Sequence, residues 1–94
     1  MRVITRKRLE EFYAKHGAAK APLTAWYRVI SESQFGDFNA LRRAFRSVDY
    51  VKGLYVFDVG PFRLIAAIHF NRQIVFVRHV LTHDEYDRGT WKGK

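Results

Sequence analysis

The residues best suited to chemistry lie near the end of the chain, in Thr82-His83-Asp84-Glu85-Tyr86-Asp87. Thr82 and Glu85 have the spacing of a capping box, which predicts a short helix opening at His83 and ending by Gly89. His83 and Tyr86, three apart, then share one helix face, at the end where free backbone N–H groups attract phosphate. Upstream, Arg63 and Arg78 interrupt otherwise apolar segments. A guanidinium offers forked donors that stay ionised, which suits phosphate, and on antiparallel neighbours the two could converge on one anion. Imidazole, phenol and guanidinium together suffice to cut RNA. A base takes the proton of a 2′-hydroxyl, which attacks the adjacent phosphate; cations carry the added charge, and an acid protonates the departing 5′-oxygen. An imidazole serves either role near neutral pH, whereas a phenol needs neighbouring cations to act as a base. The plainer reading makes Tyr86 a core aromatic, His83 a capping residue, and each arginine an edge residue paired with Asp58 or Asp84.

Other chemistries lack their residues. The sequence has no glycine-rich phosphate loop, no nucleophile-elbow serine, no HExxH and no cysteine. His79 and His83 are four apart, but the strand-to-helix junction expected between them spoils a shared face. Neither a metal site nor a cofactor is expected.

Seventeen Lys and Arg against nine Asp and Glu give a formal charge of +8, which points to a polyanionic partner. The basic residues are scattered through foldable segments rather than gathered in a tail, so the charge belongs to a folded surface. Absence of cysteine fits the reducing cytoplasm, which is the expected compartment. Met1 to Arg8 precede no apolar stretch of signal-peptide length, and the longest apolar run, Leu64 to Ile68, is too short for a bilayer, so no membrane association is expected.

The elements that must position these groups are legible as periodicities. Val3 and Ile4 suit a short first strand. Thr5 is placed to cap a helix whose Leu9, Phe12, Tyr13 and His16 share a face, with Gly17 as its stop. Pro22 suits the first turn of a second helix carrying Leu23, Trp26, Tyr27 and Ile30; Asp37 caps a third carrying Phe38, Leu41 and Phe45. From Val48 onward the pattern becomes β-branched and aromatic. Strands are predicted at Val48–Val51, Leu54–Val59, Phe62–Phe70 and Ile74–Leu81, joined at Lys52-Gly53, Gly60-Pro61 and Asn71-Arg72 as antiparallel hairpins. The two long strands should be central and covered on both faces. With no repeat or linker, residues 1–94 read as a single α+β domain: two to three N-terminal helices packed on one face of a four- to five-stranded, mainly antiparallel sheet, then a short C-terminal helix.

Four segments, Met1-Arg2-Val3-Ile4, Pro22-Leu23-Thr24-Ala25-Trp26-Tyr27, Phe62-Arg63-Leu64-Ile65-Ala66 and Thr82 to Asp87, resemble in order and spacing the HigB family of toxins. The resemblance spans nearly the whole chain. It implies a RelE-like toxin domain and endonucleolytic cutting of messenger RNA, usually on the translating ribosome. It also implies a cognate HigA-like helix-turn-helix antitoxin in a heterodimer or heterotetramer, with operator DNA reached only through that partner. The matching catalytic positions are Lys52, Arg63, Arg78, His83 and Tyr86, with His79 in reserve. Arg6, Lys7, Arg42, Arg43, Arg46 and His79 would then grip RNA phosphates in a salt-dependent way. The competing readings are a non-catalytic basic RNA- or ribosome-binding module and, behind it, a DNA-binding regulator, for which no recognition helix after a tight turn is evident.

Overall fold

The computed structural model describes residues 1–93. The chain opens with β1 (Arg2–Ile4) and α1 (Arg6–Lys15), passes a 3-10 turn at Gly17–Ala19, and forms α2 (Lys20–Glu32) and α3 (Phe38–Ala44). Then follow β2 (Asp49–Val51), β3 (Leu54–Val59), β4 (Phe62–His69), β5 (Ile74–Leu81), α4 (His83–Arg88) and a closing 3-10 turn at Thr90–Gly93. The five strands form one sheet in the order β1-β5-β4-β3-β2, antiparallel throughout except where β1 runs parallel to β5. Among the described residues, no helix is long and apolar enough to cross a membrane.

Alternation along the strands divides the side chains between two faces. Leu64 and Ala66 of β4, Val75 and Val77 of β5 and Phe57 of β3 meet Leu9, Leu23, Trp26, Ile30 and Leu41 from α1, α2 and α3, which makes the main core. Val56 and Ile65 point the other way, beneath Trp91, Tyr86 and Leu81. The short C-terminal helix therefore lies across the sheet from the other three, not with them on one face. The physical reason is the odd-numbered residues of β4: Ile65 has no exposure at all and needs an apolar cover that the N-terminal helices, already on Leu64 and Ala66, cannot supply. Cover on both faces is limited to the middle of β4; Arg78 of β5 and His69 of β4 are exposed.

Two local expectations change. Thr5 stands before α1 but makes no cap hydrogen bond and adopts a left-handed backbone, φ 69°. Its hydroxyl instead lies between the N–H and the C=O of Val77, at 3.0 and 2.9 Å, tying the end of β1 to β5. Helix α1 ends at Lys15, and Gly17 opens the 3-10 turn rather than terminating the helix directly. Asp37 caps α3 as expected, accepting the Ala40 N–H at 2.9 Å.

Candidate functional site

Arg63 follows directly from hairpin register. Gly60 takes φ 60°, the β3–β4 turn is two residues long, and Val59 pairs with Phe62, so Asp58 falls opposite Arg63. The guanidinium Nε lies 3.0 Å from Asp58 Oδ1, and a second nitrogen donates to the Phe62 carbonyl at 3.1 Å. Four-fifths of the Arg63 side chain is covered, and its charged carbon lies 5.6 Å from the centre of the Tyr86 ring. Arginine, carboxylate and phenol thus form one constellation at the end of the sheet.

Helix α4 presents the phenol. Both halves of the Thr82/Glu85 capping box form: the Thr82 N–H donates to Glu85 Oε1 at 2.9 Å, and the Glu85 N–H donates to the Thr82 hydroxyl at 3.3 Å. The Thr82 N–H, with smaller help from the Thr82 hydroxyl, Arg88 and His16, holds the Glu85 carboxyl below its ordinary range. This end of the helix is consequently occupied. Its first turn carries Asp84 and Glu85, so it does not offer the bare phosphate-attracting N–H groups expected from spacing alone. Gly89 closes the helix with φ 71°, and Trp91 then folds back, its indole N–H donating to the Tyr86 carbonyl at 3.3 Å and its ring stacking on the Tyr86 ring at 5.4 Å and 17°. His83 is exposed on the same short helix, three residues before Tyr86, with Nε2 3.1 Å from Asp87 Oδ2. That contact leaves Nδ1 as the free ring nitrogen.

Arg78 is not part of this group. Arg63 pairs with Leu81, and a bulge opposite Ile65 and Ala66 leaves Arg78 outside the register. The Arg78 and His79 side chains line a groove against Arg8, Glu11 and Lys15 of α1. Burial first, then the charges of Arg8 and Arg78, push the His79 imidazole below its ordinary value. Lys52 sits in the β2–β3 turn with φ 51°, beside Gly53 at φ 82°. Leu54, where β3 begins, is already four residues along the strand from Asp58, on the order of 13 Å, and Lys52 lies beyond it in the turn. Arg6 is tied into the helical layer, 3.8 Å from Glu10 and 4.7 Å over the Tyr27 ring; Lys7 is exposed beside it. Arg42, Arg43 and Arg46 line an open depression on α3 with Asn39. These five cations belong to the helical layer, across the sheet from Tyr86. Among the described residues, no three His, Cys, Asp or Glu side chains gather in a way that could hold a metal ion.

Reading of the residues alone missed Trp91 and Asp87. Asp87 lies four residues after His83, a helical spacing that was available; Trp91 carries no signal, because only the fold-back after Gly89 places it.

An α+β sheet with three helices on one face and a cation–phenol pair on the other is of the RelE-like kind. A family model, HigB_toxin, the RelE-like toxic component of a toxin-antitoxin system, matches residues 19–89. The mRNA interferase HigB of Escherichia coli O6:H1 (strain CFT073) is 37% identical over 95 residues, spanning 96% of this chain and 92% of that protein. The mRNA interferase toxin HigB of Escherichia coli K12 and the mRNA interferase HigB of Shigella flexneri are each 36% identical over 92 residues, spanning 93% of this chain and 88% of theirs. The chain belongs to the HigB toxin family.

Proposed function

We propose that this chain is an endoribonuclease that cuts messenger RNA at the Arg63, Tyr86 and His83 constellation. Its relatives are named mRNA interferases. The observation that carries the proposal is Arg63, held by Asp58 and lying over the Tyr86 ring, with His83 exposed one helical turn before Tyr86 on α4. The free Nδ1 of His83 takes the proton of the 2′-hydroxyl, whose oxygen bonds to the adjacent phosphorus. Arg63 carries the charge that accumulates on the phosphate, and the Tyr86 hydroxyl gives its proton to the 5′-oxygen as the phosphorus–oxygen bond breaks. The products are a 2′,3′-cyclic phosphate and a 5′-hydroxyl. Attack comes from within the RNA, so the step is complete without an external nucleophile. Cutting takes place on the translating ribosome in the cytoplasm, and the excess of cations on the helical layer holds ribosomal or messenger phosphates. A HigA-like helix-turn-helix antitoxin neutralises the toxin in a heterodimer or heterotetramer and alone contacts operator DNA.

The test is cleavage of messenger by the full chain with translating ribosomes. Tyr86→Phe and His83→Ala should each lower the rate about 10² to 10⁴-fold, the usual worth of a positioned acid or base. Asp58→Ala should lower it roughly tenfold by freeing Arg63 from its fixed geometry. Retention of RNA on the wild-type protein without cuts would make the chain a binding module instead.

A further inference from the structure

Strand β1 ends at Ile4, opposite Phe76, whereas β5 continues to Leu81, so among the described residues no strand lies beside the outer edge of β5 beyond Val77. Helix α1 runs along this bare edge, and one nitrogen of Arg8 donates to the Arg78 carbonyl at 3.2 Å. Between helix and edge lies a groove of about 250 Å³, with Arg8, Glu11 and Lys15 on one wall and Arg78 and His79 on the other.

Its charge is unbalanced. Three permanent cations face one carboxylate, and among the described residues none of the three is in an ion pair, in contrast to Arg63 and Arg6. Like charges held together in a partly covered groove repel one another, and a bound anion removes that cost. Forked guanidiniums flanked by an ammonium suit a phosphate. The groove also lies on the strand that leads to the candidate site: Arg78 precedes Leu81, the partner of Arg63, by three residues, about 10 Å along β5.

We propose that this groove binds a backbone phosphate of the RNA substrate, a nucleotide or two away from the linkage held at Arg63, with Arg8 and Lys15 as binding residues. The proposal rests on the reading of Arg63, Tyr86 and His83 as the site where RNA is cut. It favours RNA over an acidic protein segment because Arg78 stands only about 10 Å along β5 from the partner of Arg63, within the span of a nucleotide or two.

The test uses the full chain and a 2′-O-methyl RNA hexamer, which lacks the attacking hydroxyl, with binding read by fluorescence anisotropy across a salt series. Lys15→Ala and Arg8→Ala should each weaken binding several-fold, and the double variant should lower the steepness of log K against log salt by about 0.7, one phosphate contact on a single strand. Arg8→Lys keeps the charge and should keep the slope, and Arg72→Ala, exposed in the β4–β5 turn, should match the wild type. A double variant with unchanged affinity and slope overturns the proposal. So does a double variant that binds RNA normally but no longer holds the antitoxin. Lys15-dependent binding by a protein that cuts nothing would keep the groove and remove the cleavage reading; cutting with a slope indifferent to Arg8 and Lys15 would do the reverse.

Discussion

Replacing Trp91 with alanine should uncouple the end of the chain from the sheet and so disable a site to which Trp91 contributes no reacting atom. Its side chain is 3% exposed and covers Val56 and Ile65, themselves 3% and 0% exposed. Burying an aromatic ring of this size removes about 200 Å² from water, roughly 5 kcal/mol at 25 cal/mol per Å² as an upper bound. The observed cost of such truncations is about 3 to 5 kcal/mol. Of this, the stack on Tyr86 accounts for about 1 kcal/mol and the indole hydrogen bond for about 1 kcal/mol more. A domain of this size has only about 5 to 15 kcal/mol of total stability, so Trp91→Ala should be strongly destabilised overall. Trp91→Phe keeps the ring and loses the hydrogen bond, at about 1 to 2 kcal/mol. Denaturant unfolding gives these values, and amide exchange in α4 shows whether the helix opens ahead of the main core. Cleavage by Trp91→Phe at 20 °C, where the protein remains folded, should fall in kcat more than it rises in KM, because Tyr86 loses its support and the RNA grip does not. Full kcat in Trp91→Ala, with α4 exchanging freely, would refute the claim that Trp91 holds Tyr86 under Arg63.

Two further outcomes follow from geometry already described. His79 has its native value pushed below 6.5 by burial and by Arg8 and Arg78, so the unfolded chain binds the proton more readily. Its contribution to stability is complete above pH 6.5 and is lost as the pH falls from there through the native value; His79→Gln should flatten the stability profile in that window, measured by urea unfolding at each pH. Thr5→Val removes the hydroxyl between the Val77 N–H and C=O, leaving both unpaired, and should cost about 2 to 3 kcal/mol in thermal or urea unfolding, whereas loss of a mere helix cap would cost about 1.

Much of the architecture was present in the order of residues, because it depends on local chemistry. The capping box at Thr82 and Glu85, the Asp37 cap and the two-residue turn at Gly60-Pro61 each act over a few residues, and each forms where spacing predicts. That turn also fixes the pairing of Asp58 with Arg63, so half of the candidate site was legible before any coordinates. Thr5 was misassigned because a threonine before a helix looks like a cap; only the early end of β1 leaves Val77 without a partner and draws the hydroxyl away.

Two further matters lay beyond the reach of periodicity. Strand alternation says that β4 has two apolar faces but not what covers each, and the return of the chain after Gly89 decides that Trp91 and Tyr86 close the face opposite α1, α2 and α3. Likewise the register that sets Leu81 opposite Arg63 leaves Arg78 three residues away along β5, where it lines a groove with Arg8 and Lys15, 70 and 63 residues distant in the chain. Residue types and spacing therefore determined the elements, the basic surface and the kinds of group available for RNA chemistry. The grouping of those cations into one pinned pair and one open groove is a property of long-range packing, since it depends on where strands end and slip relative to one another, and no local pattern encodes that.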